Sequence, residues 1–115
     1  MPTIEYEGQK IELDDEGYLV NFDDWNEKVA CALADKEGVS KQCPLSKEKM
    51  DILKYMRDYY KKFYSFPIVR YVCKNVHQPK NCQYEQFPDP IIAWKIAGLP
   101  KPMVEVDAYI KKHGW

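Results

Sequence analysis

A small α+β domain, mainly helical, is predicted by three features of this sequence. Apolar and polar residues alternate over the first 20 positions, apolar residues recur every three or four positions after residue 23, and prolines and glycines fall where helices would start and stop. The specific expectation is an N-terminal three-stranded β-meander packed on an array of about five helices, with an extended C-terminal arm. At 115 residues the chain is a single domain's worth, long enough to bury roughly two-thirds of its unfolded surface.

The elements follow in order. Ile4 and Tyr6, then Ile11 and Leu13, alternate with polar residues about Glu7-Gly8-Gln9-Lys10, the pattern of a half-buried hairpin with glycine at its turn. A second turn, Asp14-Asp15-Glu16-Gly17, leads into Tyr18-Leu19-Val20 as the third strand. Asp23 is placed to cap a helix carrying Trp25, Val29 and Leu33 on one stripe, and Gly38 ends it. Ser46 caps the longest helix, Leu45 and Met50 are spaced as a hydrophobic staple, and Leu53, Met56, Tyr60 and Phe63 continue the inward stripe.

Pro67 suits the first turn of the next helix, whose inward face is Val69, Val72 and Val76. Gln78-Pro79 breaks the run, and Asn81 caps a short helix through Phe87. Asp89 with Pro90 starts another, stopped by Gly98. Ile91, Ile92, Trp94 and Ile96 make that helix apolar nearly all round, so it should be deeply packed. Leu99-Pro100-Lys101-Pro102 must be extended, because each proline disfavours a helical residue before it. Residues 103–115 read as one more short amphipathic helix.

Hydrophobic residues at 45% and charged residues at 30% are ordinary for a globular protein and too apolar for a disordered one. No run approaches the roughly 18 apolar residues of a membrane span, and residues 1–10 do not resemble a signal peptide, so the expectation is a cytoplasmic protein with no membrane partner. The net charge of -1 conceals a segregation: residues 1–40 hold 11 acidic and 3 basic side chains, residues 46–80 hold 9 basic and 3 acidic. Solvated faces that partly neutralise one another explain this, as does a basic docking face for an anionic partner.

Cys31, Cys43, Cys73 and Cys82 are too few and scattered to read as a secreted disulfide framework, which leaves buried or free thiols as the default. Cys31 is most simply core. Cys73 and Cys82 flank the Gln78-Pro79 break closely enough to form a disulfide or a reversible redox pair, or to be two ordinary cysteines. Cys73 and His77 would share a helix face and, with Cys82 and either Cys43 or His113, could supply zinc ligands, but the spacing matches no standard zinc knuckle and no metal is assigned. No phosphate loop, nucleophile elbow or paired-histidine motif occurs, and Asp14, Asp15 and Glu16 fit an exposed turn better than acid-base catalysis, so neither an enzyme nor a cofactor is expected.

Three stretches, in order, resemble one known family: Asp14-Asp15-Glu16-Gly17-Tyr18-Leu19 followed by Trp25; Leu53 through Arg70, especially Met56-Arg57-Asp58-Tyr59-Tyr60 and Pro67-Ile68-Val69-Arg70; and Phe87-Pro88 with Ile96-Ala97-Gly98-Leu99-Pro100-Lys101-Pro102. These are similar to the DsrC/TusE sulfur-relay family, which includes the gamma subunit of dissimilatory sulfite reductase. The resemblance implies a family domain over residues 1–102, a C-terminal extension over 103–115, and an arm beginning at Leu99. It also implies a thiol near the arm's end that carries sulfur as a persulfide or trisulfide, and in many members a second cysteine in the preceding helix.

At those two positions this chain has Glu105 and Trp94. Neither side chain can attack as a thiolate or form a sulfur–sulfur bond. The expectation is therefore a binding or regulatory partner of sulfite reductase or the sulfur-relay machinery, with Arg57, Arg70 and Lys101 as docking candidates and fold-supporting ion pairs as the equal alternative for Arg57 and Arg70. Two alternatives stand beside it: a helix-turn-helix nucleic-acid binder built on the basic segment, against which a pI of 6.1 argues, and sulfur transfer relocated to Cys73 or Cys82.

Overall fold

The computed structural model describes residues 3–6, 8–63, 69–79, 82–87 and 89–101. The chain begins as a hairpin: strands β1 (Thr3–Tyr6) and β2 (Gln9–Glu12) pair antiparallel with Ile4 opposite Ile11 and Tyr6 opposite Gln9. That register leaves a two-residue turn, and Gly8 sits in it at φ 81°, which glycine adopts without a Cβ penalty.

The expected third strand is reduced to one bridge, Leu13 to Leu19. Asp14 explains the tight return, since its Oδ1 accepts the backbone N–H groups of Glu16 and Tyr18, both at 2.9 Å. Past Val20, Asn21 caps a 3-10 turn at Phe22–Asp24, and the chain leaves the sheet before a strand can grow. The meander is thus a two-stranded hairpin with a bridged return.

The cap of helix α1 (Glu27–Lys36) is Asn26 rather than the expected Asp23; its side chain accepts from the N–H groups of Lys28 and Val29. Trp25 consequently lies before the helix instead of on its stripe. Val29, Ala30, Leu33 and Ala34 form the inward face, and the helix stops at Gly38, φ 76°. Ser46 caps helix α2 (Lys47–Phe63), its Oγ accepting from Lys49 N at 3.3 Å. Leu45 and Met50 are both buried at its start, as a staple requires.

Met50, Ile52, Leu53 and Met56 bury against the core, each contributing about 1.5–3 kcal/mol. One expectation about this helix fails. Phe63 is 60% exposed, because it lies one turn beyond the packed stretch, tilted against Tyr59 with ring centroids 4.7 Å apart. Arg57 is buried.

Helix α3 (Val69–Asn75) and helix α4 (Cys82–Gln86) lie beside α2. The expected roles of Pro67 and Asn81 lie outside the described residues. Helix α5 (Pro90–Ile96) is capped by Asp89, whose Oδ1 accepts from Ile91 N at 2.9 Å. It packs on both α1 and α2 and buries Ala93, Trp94 and Ile96. The expected helix over 103–115, and the division of the chain after residue 102, also fall outside the described residues.

Candidate functional site at the end of the last helix

Where α5 ends, the Phe22–Trp25 turn and helix α2 both reach a few of its last peptide groups. Trp25 donates its indole N–H to the carbonyl of Ile96 at 2.8 Å. Arg57 reaches out of α2 and donates to the carbonyls of Ala97 at 2.9 Å and Gly98 at 3.4 Å, while its other terminal nitrogen donates to Phe22 O at 2.9 Å. These carbonyls lack partners within α5, so the guanidinium satisfies a helix end while neutralising its partial negative charge. The same group lies over the rings of Phe22, 3.8 Å from the centroid, and Trp25, 4.5 Å away.

Burial pushes the Arg57 guanidinium down to about 10, against the opposing pull of Asp23 and Asp58, so it remains a cation at neutral pH. Gly98 completes the packing at φ 70°: a Cβ there would stand 2.4 Å from Trp25 Cδ1 and 3.0 Å from Leu19 Cδ2. Beyond it, Leu99 is wholly buried, and Trp94 donates its indole N–H to Pro100 O. Tyr60 meets Trp94 edge-on at 6.0 Å. Lys101 pairs with Glu16, in the turn after β2. The segment 99–101 is therefore rooted through Trp94 in the preceding helix, Arg57 in α2, and Trp25 and Glu16 from the N-terminal part of the chain.

The docking candidates fare differently. Arg57 is 8% exposed and bonded to carbonyls within the fold, so the contacts it makes here are fold-supporting. Its position on the helix gave no warning, because its partners are backbone carbonyls distant in sequence. Lys101 is exposed and lies at the arm root. The side chain of Arg70 and all of Glu105 lie outside the described residues.

All four cysteines are paired, contrary to the expectation of buried or free thiols. Cys73 bonds Cys82 with Cα atoms 5.7 Å apart, and Cys31 bonds Cys43 with Cα atoms 5.6 Å apart. The second pairing was invisible in the sequence; it needs the turn at Gly38 to bring the loop before α2 back to α1. Because Cys73 and Cys82 are bonded to one another, neither offers a thiolate for relocated sulfur transfer in this state. α3 ends at Asn75, and His77 lies beyond it at φ 56°, so His77 and Cys73 do not share a helix face as a zinc site would require.

The basic segment is also less free than its composition implied: Arg57 is internal, Lys47 pairs with Asp51 at 2.6 Å, and Lys54 pairs with Glu27 at 2.5 Å. Among the described residues no helix is long and apolar enough to cross a membrane.

These features define a class: a small, helix-dominated α+β domain in which the chain leaving its last helix is held at a firmly packed junction. The family model for DsrC like protein matches residues 5–106. Sulfurtransferase TusE of Photorhabdus laumondii is 35% identical, with 90% of this chain and 97% of the relative covered. The gamma subunit of dissimilatory-type sulfite reductase from Nitratidesulfovibrio vulgaris is 36% identical, covering 89% and 96%.

Among solved structures, the oxidized gamma-subunit of the dissimilatory sulfite reductase (DsrC) from Archaeoglobus fulgidus superposes with a TM-score of 0.75 at 40% identity, covering 89% of this chain and 97% of that one. The chain belongs to the DsrC/TusE family.

Proposed function

We propose that this chain is a non-carrying member of its family, one that docks to a protein partner in sulfur metabolism, a sulfite reductase or a sulfur-relay complex, and regulates it without passing sulfur. The observation that carries the reading is Trp94. It is 2% exposed and gives its indole N–H to Pro100 O, at the position where the family resemblance puts the helix thiol. Glu105 stands where the resemblance puts the arm thiol, and an ionised carboxylate accepts hydrogen bonds but cannot hold sulfane sulfur through a sulfur–sulfur bond.

Docking is supported by the packed root, which presents Lys101 next to the start of the arm. The Lys101–Glu16 pair is exposed on both sides, and such pairs contribute only about 0–1 kcal/mol, so a partner's carboxylate can take the place of Glu16 at small cost. Arg70 is the second proposed contact. In this reading the protein is cytoplasmic, catalyses nothing and needs no cofactor, and residues 103–115 are an extension following the family domain. Nucleic-acid binding has less support, since part of the basic charge is internal or paired.

Native mass spectrometry and pull-downs against sulfite reductase and the sulfur-relay complex test the docking, with a complex expected for at least one. In parallel, incubation with a persulfide donor should leave residues after Pro102 without added sulfur, whereas Glu105→Cys should acquire it. The absence of any complex, or sulfur bound downstream of Pro102 in the unaltered chain, overturns the proposal.

A further inference from the structure

The two disulfides differ in how a nucleophile can reach them. Cys73 at 6% and Cys82 at 1% exposure are both buried members of the hydrophobic core, so attack on either sulfur needs part of the core to open. Cys31 is 8% exposed on α1, yet its partner Cys43 is exposed, together with its neighbours Lys41, Gln42 and Pro44. Thiol–disulfide exchange requires access to only one of the two sulfurs.

The surrounding loop has its own fastenings. Ser40 Oγ accepts from Gln42 N at 3.1 Å, Leu45 is buried at 5%, and Ser46 caps α2 through Lys49 N at 3.3 Å. Opening the bridge therefore leaves the start of α2 in place.

We propose that Cys31–Cys43 is a thiol-exchange site which takes a low-molecular-weight thiolate at Cys43. The incoming thiolate attacks Cys43 Sγ and a new S–S bond forms there. The Cys31–Cys43 bond breaks, and its electron pair leaves on Cys31 Sγ, which takes a proton from water. A second thiolate of the same kind can then attack the sulfur of the bound small molecule. This expels Cys43 as a thiolate and yields the small-molecule disulfide, so two external thiols are oxidised as the protein bridge is reduced. Burial of Cys31 fixes the direction of the first step. The site lies on the connection between α1 and α2, and none of its residues belongs to the arm root, so it stands whether or not the chain docks to a sulfur-metabolism partner. Disulfides of proteins in reducing compartments are typically transient or redox-sensing, which is the behaviour an accessible Cys43 allows.

The test uses the full chain prepared without reductant. It is incubated with reduced glutathione, quenched with acid, alkylated and mapped by peptide mass spectrometry. The expected result is glutathione on Cys43 and alkyl label on Cys31 while Cys73 and Cys82 remain linked. The first bridge should open at least about tenfold faster, equivalent to about 1.4 kcal/mol of additional opening cost at the enclosed one. Dithiothreitol should open the same bridge first but leave two thiols and no lasting adduct, and circular dichroism should retain the helical signal in both cases. Equal rates, earlier opening of Cys73–Cys82, an adduct on Cys31, opening only in denaturant, or Cys31 and Cys43 unlinked at the outset would each overturn the proposal.

Discussion

Gly98→Ala should damage the arm root through two separable effects. The residue sits at φ 70°, where an L-side chain costs about 1–2 kcal/mol. The added methyl would also stand 2.4 Å from Trp25 Cδ1 and 2.9 Å from Cγ. Neither ring atom can yield without moving an indole held at 2.8 Å to Ile96 O and stacked under Arg57. Overpacking of a well-filled site costs about 1–3 kcal/mol, so the combined loss is about 2–5 kcal/mol.

For a chain of 115 residues the unfolding entropy is roughly 0.24 kcal/mol/K, and that loss lowers Tm by about 8–20 °C. Gly8→Ala supplies the control. Gly8 has φ 81° and nothing within 4 Å of a built Cβ, so it should lose only the backbone part, about 1–2 kcal/mol. Thermal unfolding followed by circular dichroism gives both values. A Gly98→Ala shift under about 4 °C, or equal shifts for the two variants, would refute the close-packing argument.

Two further substitutions probe the same architecture. Arg57→Lys keeps the charge but cannot span Phe22 O and Ala97 O together, so urea unfolding should register a loss of about 1–3 kcal/mol even though the change is formally conservative. Asn26→Ala removes the acceptor of two N–H groups at the start of α1 and should cost about 1 kcal/mol, whereas Asp23→Ala should cost measurably less; equal denaturation midpoints for the two would contradict the cap assignment.

What could be read from the sequence was local chemistry. Ser46 and Asp89 cap helices because their oxygens reach N–H groups two or three residues on, and Gly8, Gly38 and Gly98 mark turns and stops because each backbone lies at positive φ. Where several caps compete within a few residues, as with Asn21, Asp23 and Asn26, local preference could not choose between them. The decision is made by Trp25, whose bond to Ile96 O fixes where the chain turns into α1.

The candidate site was legible only as a run of motif letters. The inward turn of Arg57 and the pairing of Cys31 with Cys43 depend on contacts between segments remote in sequence, to which helical spacing is blind. Phe63 was misplaced for the opposite reason: the apolar stripe of α2 continues past the point where the described residues cover it.

Because the indoles of Trp25 and Trp94 are bonded to Ile96 and Pro100 on either side of Gly98, the molecule carries its own optical gauge of this junction. Substituting Trp115 with phenylalanine would leave those two rings as its only tryptophans. Their emission would then report, without an attached dye, whether a partner engaging Lys101 disturbs the end of the last helix.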